Sequence, residues 1–354
     1  MAEFNGNHKW YKAAQTPSEL RYDVISRGWV AIATGRARKP GSFQQEKKQQ
    51  ELNGKESCPF EDLTDQEAPT AAFFKGKQVE LPSNGTVPEK WTTISLLNKY
   101  PAFIPQENFQ WKTNLIGPYQ IMEGVGFHEV VITKHHQEDI SQFSQEQTKE
   151  LIDVYHARYL ELQQQDFVHY IAIFKNKGKE AGASIAHPHS QIIAIPATSP
   201  GMDVALQGLR EFHDATGTCA YCAMISWDIK DESRVIYENE HFVALCPFAS
   251  RVAFEARIYP KEHAAHFEGI TEQGKWDLAL ALQKTLRAIS KGLGDPDYNY
   301  FIHTAPPDGG EYALYHWHIE ILPKTGTWAG FELGTGIEIS TIEPEKAAEF
   351  LRKQ

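Results

Sequence analysis

The sequence predicts an α+β protein made of two tandem units, each an antiparallel sheet with a long helix packed on one face. Two observations carry this. The same landmarks recur in the same order in both halves, and each half sets strand-like apolar runs beside one long helical stretch. In the first half an apolar run over 128–132 leads to His136, and eight residues later Ser144 caps a helical stretch over 145–163. In the second half the run 254–259 leads to His263. Eight residues on, Thr271 opens a stretch with Leu278, Leu282, Leu286 and Ile289 on one face.

The repeat continues beyond the helices. Fifty-one residues after His136 comes His187-Pro-His189-Ser-Gln191, and fifty-three after His263 comes His316-Trp-His318. Each pair opens an apolar strand that ends in proline. Each half also begins with cysteine, as Cys58-Pro-Phe-Glu61 and as Cys219-Ala-Tyr-Cys222. The units divide as 1–196 and 197–354, with the weakest boundary in 197–218 and an insertion over 62–92 in the first unit only. Whether they share one continuous sheet stays open.

At 354 residues the length suits a duplicated core. With 41% hydrophobic and 23% charged residues, the chain has a globular profile. A formal charge of −11 argues against general nucleic-acid binding, which needs an excess of Lys and Arg, but leaves room for a local phosphate pocket. The opening residues lack a leader pattern and no run approaches a membrane span, so the expected location is the cytoplasm. Four cysteines are too few for a disulfide framework, which favours reduced thiols and metal ligation.

The chemistry concentrates at residues 174–191. Side chains two apart on a strand share a face, so His187, His189 and Gln191 line one edge. Upstream, Asn176-Lys-Gly and Gly182-Ala-Ser184 form a glycine-rich loop whose amides suit a phosphate. An imidazole attacks phosphorus when a carbonyl holds its far nitrogen, and the preceding turn can supply that carbonyl to His189. Gln191 suits donation to a phosphoryl oxygen because a neutral amide adds no competing acid, and Ser184 suits the β-phosphate. His128, His241 and His266 read as structural, as does Cys246 in its apolar run.

These residues resemble the galactose-1-phosphate uridylyltransferase branch of the histidine-triad superfamily. The opening segments 19–23, 29–32 and 36–40, Asn98-Lys-Tyr-Pro-Ala102 and the tail 330–336 share the resemblance. It implies two histidine-triad-like units and a ping-pong double displacement. His189 takes the uridylyl group of UDP-glucose, releases glucose 1-phosphate, and passes the group to galactose 1-phosphate. By the same resemblance Arg36 and Lys39 serve the phosphates, with Lys39 standing where the family has a second Arg. Asn98, Asn176, Gly182 and Ser184 match nucleotide contacts, and Phe331 and Glu332 match the sugar-reading segment, Phe331 standing where some members carry Tyr. A homodimer is also implied. Relatives with the same tail include ADP-glucose phosphorylases, which pass an adenylyl group from the histidine to phosphate.

The family pattern implies a first metal site of Cys58, His136, His187 and a fourth position that is Glu61 here instead of Cys, with His135 adjacent to compete for His136's place. Carboxylate is an acceptable zinc ligand, but the set is less soft than one with two thiolates. In the second half Cys219, Cys222, His263 and His316 offer a zinc set in the same order. The competing arrangement, His303 with His316 and His318, matches an iron site of some relatives. Two readings of other classes remain: a hydrolase, in which water resolves the intermediate, and a zinc-stapled nucleotide-binding module, which leaves His189 and Gln191 unexplained.

Overall fold

Ser144 accepts the Gln147 amide hydrogen while the Gln147 side chain accepts the Ser144 N–H, and this closed capping box starts helix α1 (Gln145–Leu162). Thr271 caps α4 (Glu272–Leu293) through the Gly274 N–H, and Gly294 ends that helix in the left-handed region at φ 76°. The computed structural model describes residues 18–33, 40–43, 55–106 and 109–354.

Ahead of α1 lie β1 (Glu19–Asp23), β2 (Gly28–Ile32), β3 (Pro69–Phe74), β4 (Lys77–Gln78), β5 (Thr93–Leu97), β6 (Asn114–Ile116), β7 (Tyr119–Ile121) and β8 (Phe127–Thr133). After it come β9 (Tyr170–Lys177) and β10 (His189–Ile195), then α2 (Pro200–Thr216), α3 (Ala220–Asp231), β11 (Val235–Glu238), β12 (Phe242–Leu245) and β13 (Ala256–Pro260). The chain ends with α4, β14 (Tyr298–His303), β15 (His318–Pro323), α5 (Gly330–Thr335), β16 (Glu338–Ser340) and α6 (Pro344–Leu351).

One sheet of eleven strands, ordered β11-β12-β13-β15-β14-β9-β10-β8-β5-β3-β4, runs through both halves with every pairing antiparallel. The halves join where β14 pairs β9, with Asn299 opposite Asn176. A second sheet pairs β1, β2 and β16. The stretch read as the weakest boundary is largely helix α2, and the insertion supplies β3 and β4 to the main sheet.

Alternation along the strands decides what each face buries. On one face Ile171, Ile173, Ile192, Ala194, Ile258, Ile302, Ile319 and Ile321 join α1 and α4 in a single core. That face also holds a buried ion pair, in which Arg158 of α1 donates to Glu129 of β8 at 2.7 and 2.8 Å. The helices do not all keep to it. Tyr221 and Ile225 of α3 pack on Val243, Leu245 and Tyr259, covering the opposite face in the second half. The four residues of β12 are all buried, so that strand needs cover on both sides. Over β8 and β10 no helix lies on this opposite face among the described residues, and the histidines stand there.

Candidate active site

His189 opens β10 on the face away from α1, and its place is set by its own backbone. The Nδ1–H donates to the His187 carbonyl at 2.9 Å, which leaves the Nε2 lone pair free, and Nε2 has no hydrogen-bond partner among the described residues. Phe60 lies edge-on to the ring at 5.5 Å. Burial pushes the imidazole down to about 4, opposed by the His187 carbonyl and reinforced by the Lys175 ammonium and His187. A depressed value means that the ring stays neutral as pH falls and charges only near pH 4. The expected pH profile of the His189 transfer step is therefore flat from pH 8 to 5.5. A titration of that step near pH 6.5, seen in single-turnover rates, would contradict a buried neutral nucleophile.

Gln191 shares the face of His189, and its Oε1 lies 2.8 Å from His128 Nε2. The same nitrogen lies 3.1 Å from Asn98 Nδ2. Extending the Ser190–Lys175 pair by one residue puts Asn176 beside His189. Its Oδ1 accepts from Asn299 Nδ2 at 2.7 Å, and the Asn299 amide also donates to the Ala181 carbonyl at 2.8 Å. The Asp297 carboxylate accepts the Glu180 N–H at 2.8 Å, so second-half residues shape the glycine-rich loop of the first. Gly178, at φ 81°, has no room for a Cβ, which would sit 1.9 Å from Asp297 Oδ1. Gly182, at φ 88°, and Ser184 are exposed in the same loop, and the Ser184 hydroxyl has no partner among the described residues.

The other sequence-derived positions lie elsewhere. Arg36 and Lys39 fall outside the described residues. Phe331, half exposed, and Glu332 sit on α5, which packs against β16. Sequence reasoning set His128 aside as structural and passed over Asn299 and Asp297. The signal for His128 was its polar side chain on the same strand face as Val130 and Ile132. Asn299 and Asp297 come from the partner repeat across a strand pairing that motif spacing does not reveal.

Among the described residues, two clusters that combine cysteine with histidine flank the sheet. The donor atoms of Cys219, Cys222, His263 and His316 all lie within 4.8 Å of one another. The far nitrogens of His263 and His316 donate to the carbonyls of Ala313 and Pro260 at 2.9 and 2.8 Å, so both Nδ1 lone pairs turn to the thiols. Burial and the neighbouring Cys219 push the Cys222 thiol up to about 11, so ionising this pair calls for a cation between the four donors, and the set fits one. In the first half Cys58, His136 and His187 gather within the same 4.8 Å. His187 donates from Nε2 to the Thr133 carbonyl at 2.8 Å and presents Nδ1 to Cys58 Sγ at 3.6 Å. Glu61 Oε1 stands 2.8 Å from His136 Nδ1 and 3.7 Å from His187 Nδ1. His135 turns away to Gln147 and Glu138.

The arrangement of His303, His316 and His318 does not form a donor set. His316 faces Cys222 at 3.8 Å, while His318 donates from Nδ1 to the His316 carbonyl at 3.1 Å. His318 thus repeats the geometry of His189, but Tyr221, Tyr259 and His303 enclose it with ring centroids 5.3, 5.2 and 4.9 Å away. Glu320 takes the register position of Gln191 and is paired to Arg257 at 3.3 Å and to Arg251. The two halves thus share one geometry, open in the first and filled in the second.

Known proteins carry the same framework. A family model described as "Galactose-1-phosphate uridyl transferase, N-terminal domain" matches residues 10–198, and one described as "Domain of unknown function (DUF4921)" matches residues 119–354. The chain is 34% identical to an ADP-glucose phosphorylase of Arabidopsis thaliana, over 96% of this chain and 93% of that protein. It is 30% identical to a galactose-1-phosphate uridylyltransferase of Thermotoga maritima, over 95% and 98%. A crystal structure of an Arabidopsis thaliana ADP-glucose phosphorylase with bound ADP-glucose superposes with a TM-score of 0.76 at 31% identity, covering 96% and 99% of the two chains. A uridylyltransferase structure superposes at 0.70 and 27%, covering 95% and 97%. A fold and histidine site of this kind define a nucleotidyltransferase. The chain belongs to the galactose-1-phosphate uridylyltransferase family. Among the described residues no helix is long and apolar enough to cross a membrane.

Proposed function

We propose that this chain splits a nucleoside diphosphate glucose through a nucleotidyl-histidine intermediate on His189. The observation that carries the reading is the His189 Nδ1–H bonded to the His187 carbonyl with Nε2 left free. Nε2 forms a bond to the α-phosphorus, the bond from that phosphorus to the bridging oxygen breaks, and glucose 1-phosphate leaves with the electron pair. The charge left on the ring is met by the His187 carbonyl, and Gln191 donates to the phosphoryl oxygen. The acceptor's phosphate oxygen then displaces His189.

UDP-glucose as donor and galactose 1-phosphate as acceptor is the reading the family model favours. ADP-glucose as donor with inorganic phosphate as acceptor is the second, and the 34% identity to a phosphorylase supports it. Incubating the chain with each labelled donor and no acceptor, then chasing with each acceptor, separates them. Label chased into UDP-galactose supports the first; label chased into ADP by phosphate supports the second. No acid-labile label from either donor would refute the covalent intermediate.

The chemistry of the donors makes zinc the ion for Cys219, Cys222, His263 and His316, where a closed four-ligand set serves structure. A homodimer in the cytoplasm belongs to the same reading. In the first half a single thiolate with Glu61 holds an ion less firmly. The expected zinc content after dialysis against a mild chelator is about one equivalent per chain, rising toward two in Glu61→Cys. Two retained equivalents in the unaltered chain would refute the difference between the sites.

A further inference from the structure

The site side chains of Asn98, Asn176 and Gln191 are primary amides, each able to present either an oxygen or an NH2 group to a ligand. Which end faces the ligand follows from backbone groups that cannot reverse their roles. The Ala102 N–H, which can only donate, points to His128 Nδ1 at 3.1 Å. That nitrogen therefore carries a lone pair, and the proton of the neutral ring sits on Nε2. Nε2–H then donates to Gln191 Oε1 at 2.8 Å, and the Gln191 NH2 is left for the phosphoryl site.

Asn176 obeys the same logic. The Ala181 carbonyl, which can only accept, takes the Asn299 NH2 at 2.8 Å. The same NH2 satisfies Asn176 Oδ1 at 2.7 Å, so the Asn176 NH2 is left beside His189. The Tyr100 N–H donates to Asn98 Oδ1 at 2.9 Å, which turns the Asn98 NH2 toward His128 Nε2 at 3.1 Å; with the proton on Nε2 that is a contact between two donors, and the backbone Ala102 N–H and the shorter Gln191 contact decide the tautomer.

We propose that His128 and Asn299 are positioning residues that hold Gln191 and Asn176 oxygen-inward, so that neutral NH2 donors face the anionic nucleotide. The device presents neutral donors to an anion at the nucleophile. It rests on the nucleotidyl-histidine reading for its function, but the orientation is measurable without it.

The test is single-turnover labelling of the full chain by whichever labelled nucleoside diphosphate glucose labels wild type. His128→Phe keeps a flat ring and loses the N–H. The expected transfer is slower by about 10- to 100-fold with donor half-saturation altered less than about 3-fold. His128→Gln, which places an amide N–H at the ε position, recovers most of the rate. The double variant His128→Phe/Gln191→Ala is no slower than Gln191→Ala alone, because His128 acts through that amide. Asn299→Asp, nearly isosteric, turns the Asn176 NH2 inward and weakens donor binding. Independent multiplied losses in the double variant, or wild-type transfer in His128→Phe, would overturn the assignment. Nitrogen-15 NMR of labelled histidine tests the orientation directly. A proton on His128 Nε2 is expected, and a proton on Nδ1 overturns the proposal. Absent label on wild type sinks the covalent reading alone, because the ring tautomer is still read.

Discussion

His189→Ala is expected to slow nucleotidylation by at least about 10⁴-fold while leaving the fold intact, because it removes the atom that bonds to phosphorus. The side chain is buried at the start of a central strand, yet its loss leaves no charge unpaired; among the described residues its one hydrogen bond runs to a carbonyl two residues away. The thermal midpoint is expected to stay close to that of the unaltered chain, and the labelled-donor assay reads the loss. If the variant still took up acid-labile label at a tenth of the original rate, another residue would be the nucleophile. His187 is the neighbouring imidazole, but its Nε2 is spent on Thr133 and its Nδ1 faces Cys58.

The largest expected loss of stability comes from the other side of the same sheet. Glu129 is fully buried and accepts from Arg158 Nε and Nη2, Ser95 at 2.9 Å and Thr70 at 3.1 Å. Arg158 is itself buried; burial works against its charge, and the hydrogen bond and field of Glu129 outweigh that and raise its pKa. Glu129→Ala leaves a guanidinium inside the core with half its partners gone, an expected cost of about 3–5 kcal/mol. The midpoint of thermal unfolding is expected to fall by roughly 5 °C or more. Replacing both members, as Glu129→Leu with Arg158→Met, is expected to cost less than Glu129→Ala alone because no charge is stranded. A single variant within about 1 kcal/mol of the parent would show that water reaches this pair.

The tandem organisation was legible because duplication leaves the same spacing twice, from cysteine to His-x-His, and spacing survives where side-chain identity drifts. The caps Ser144 and Thr271 were legible for a local reason: a hydroxyl before a helical stretch has few other uses. Strand limits were less so, since β10 begins at His189 and not His187. The helix cover of the second half was not visible. Residues of α3 show which way they face only once β12 is known to be buried on both sides. The roles of His128 and Asn299 arise from pairings across strands far apart in sequence, and a motif read along one strand cannot contain them.

Joining the halves through β9 and β14 also changes how the molecule meets other chains. Two separate sheets would expose four strand borders, each a row of unpaired amides ready to template polymerisation. Among the described residues the joined sheet has two, and both are poor templates. β4 is two residues long and carries Lys77, and β11 shifts register between Val235 and Tyr237. Duplication without fusion would have doubled the adhesive borders; fusing the sheets leaves the strand of His189 deep inside, with one border short and the other bent.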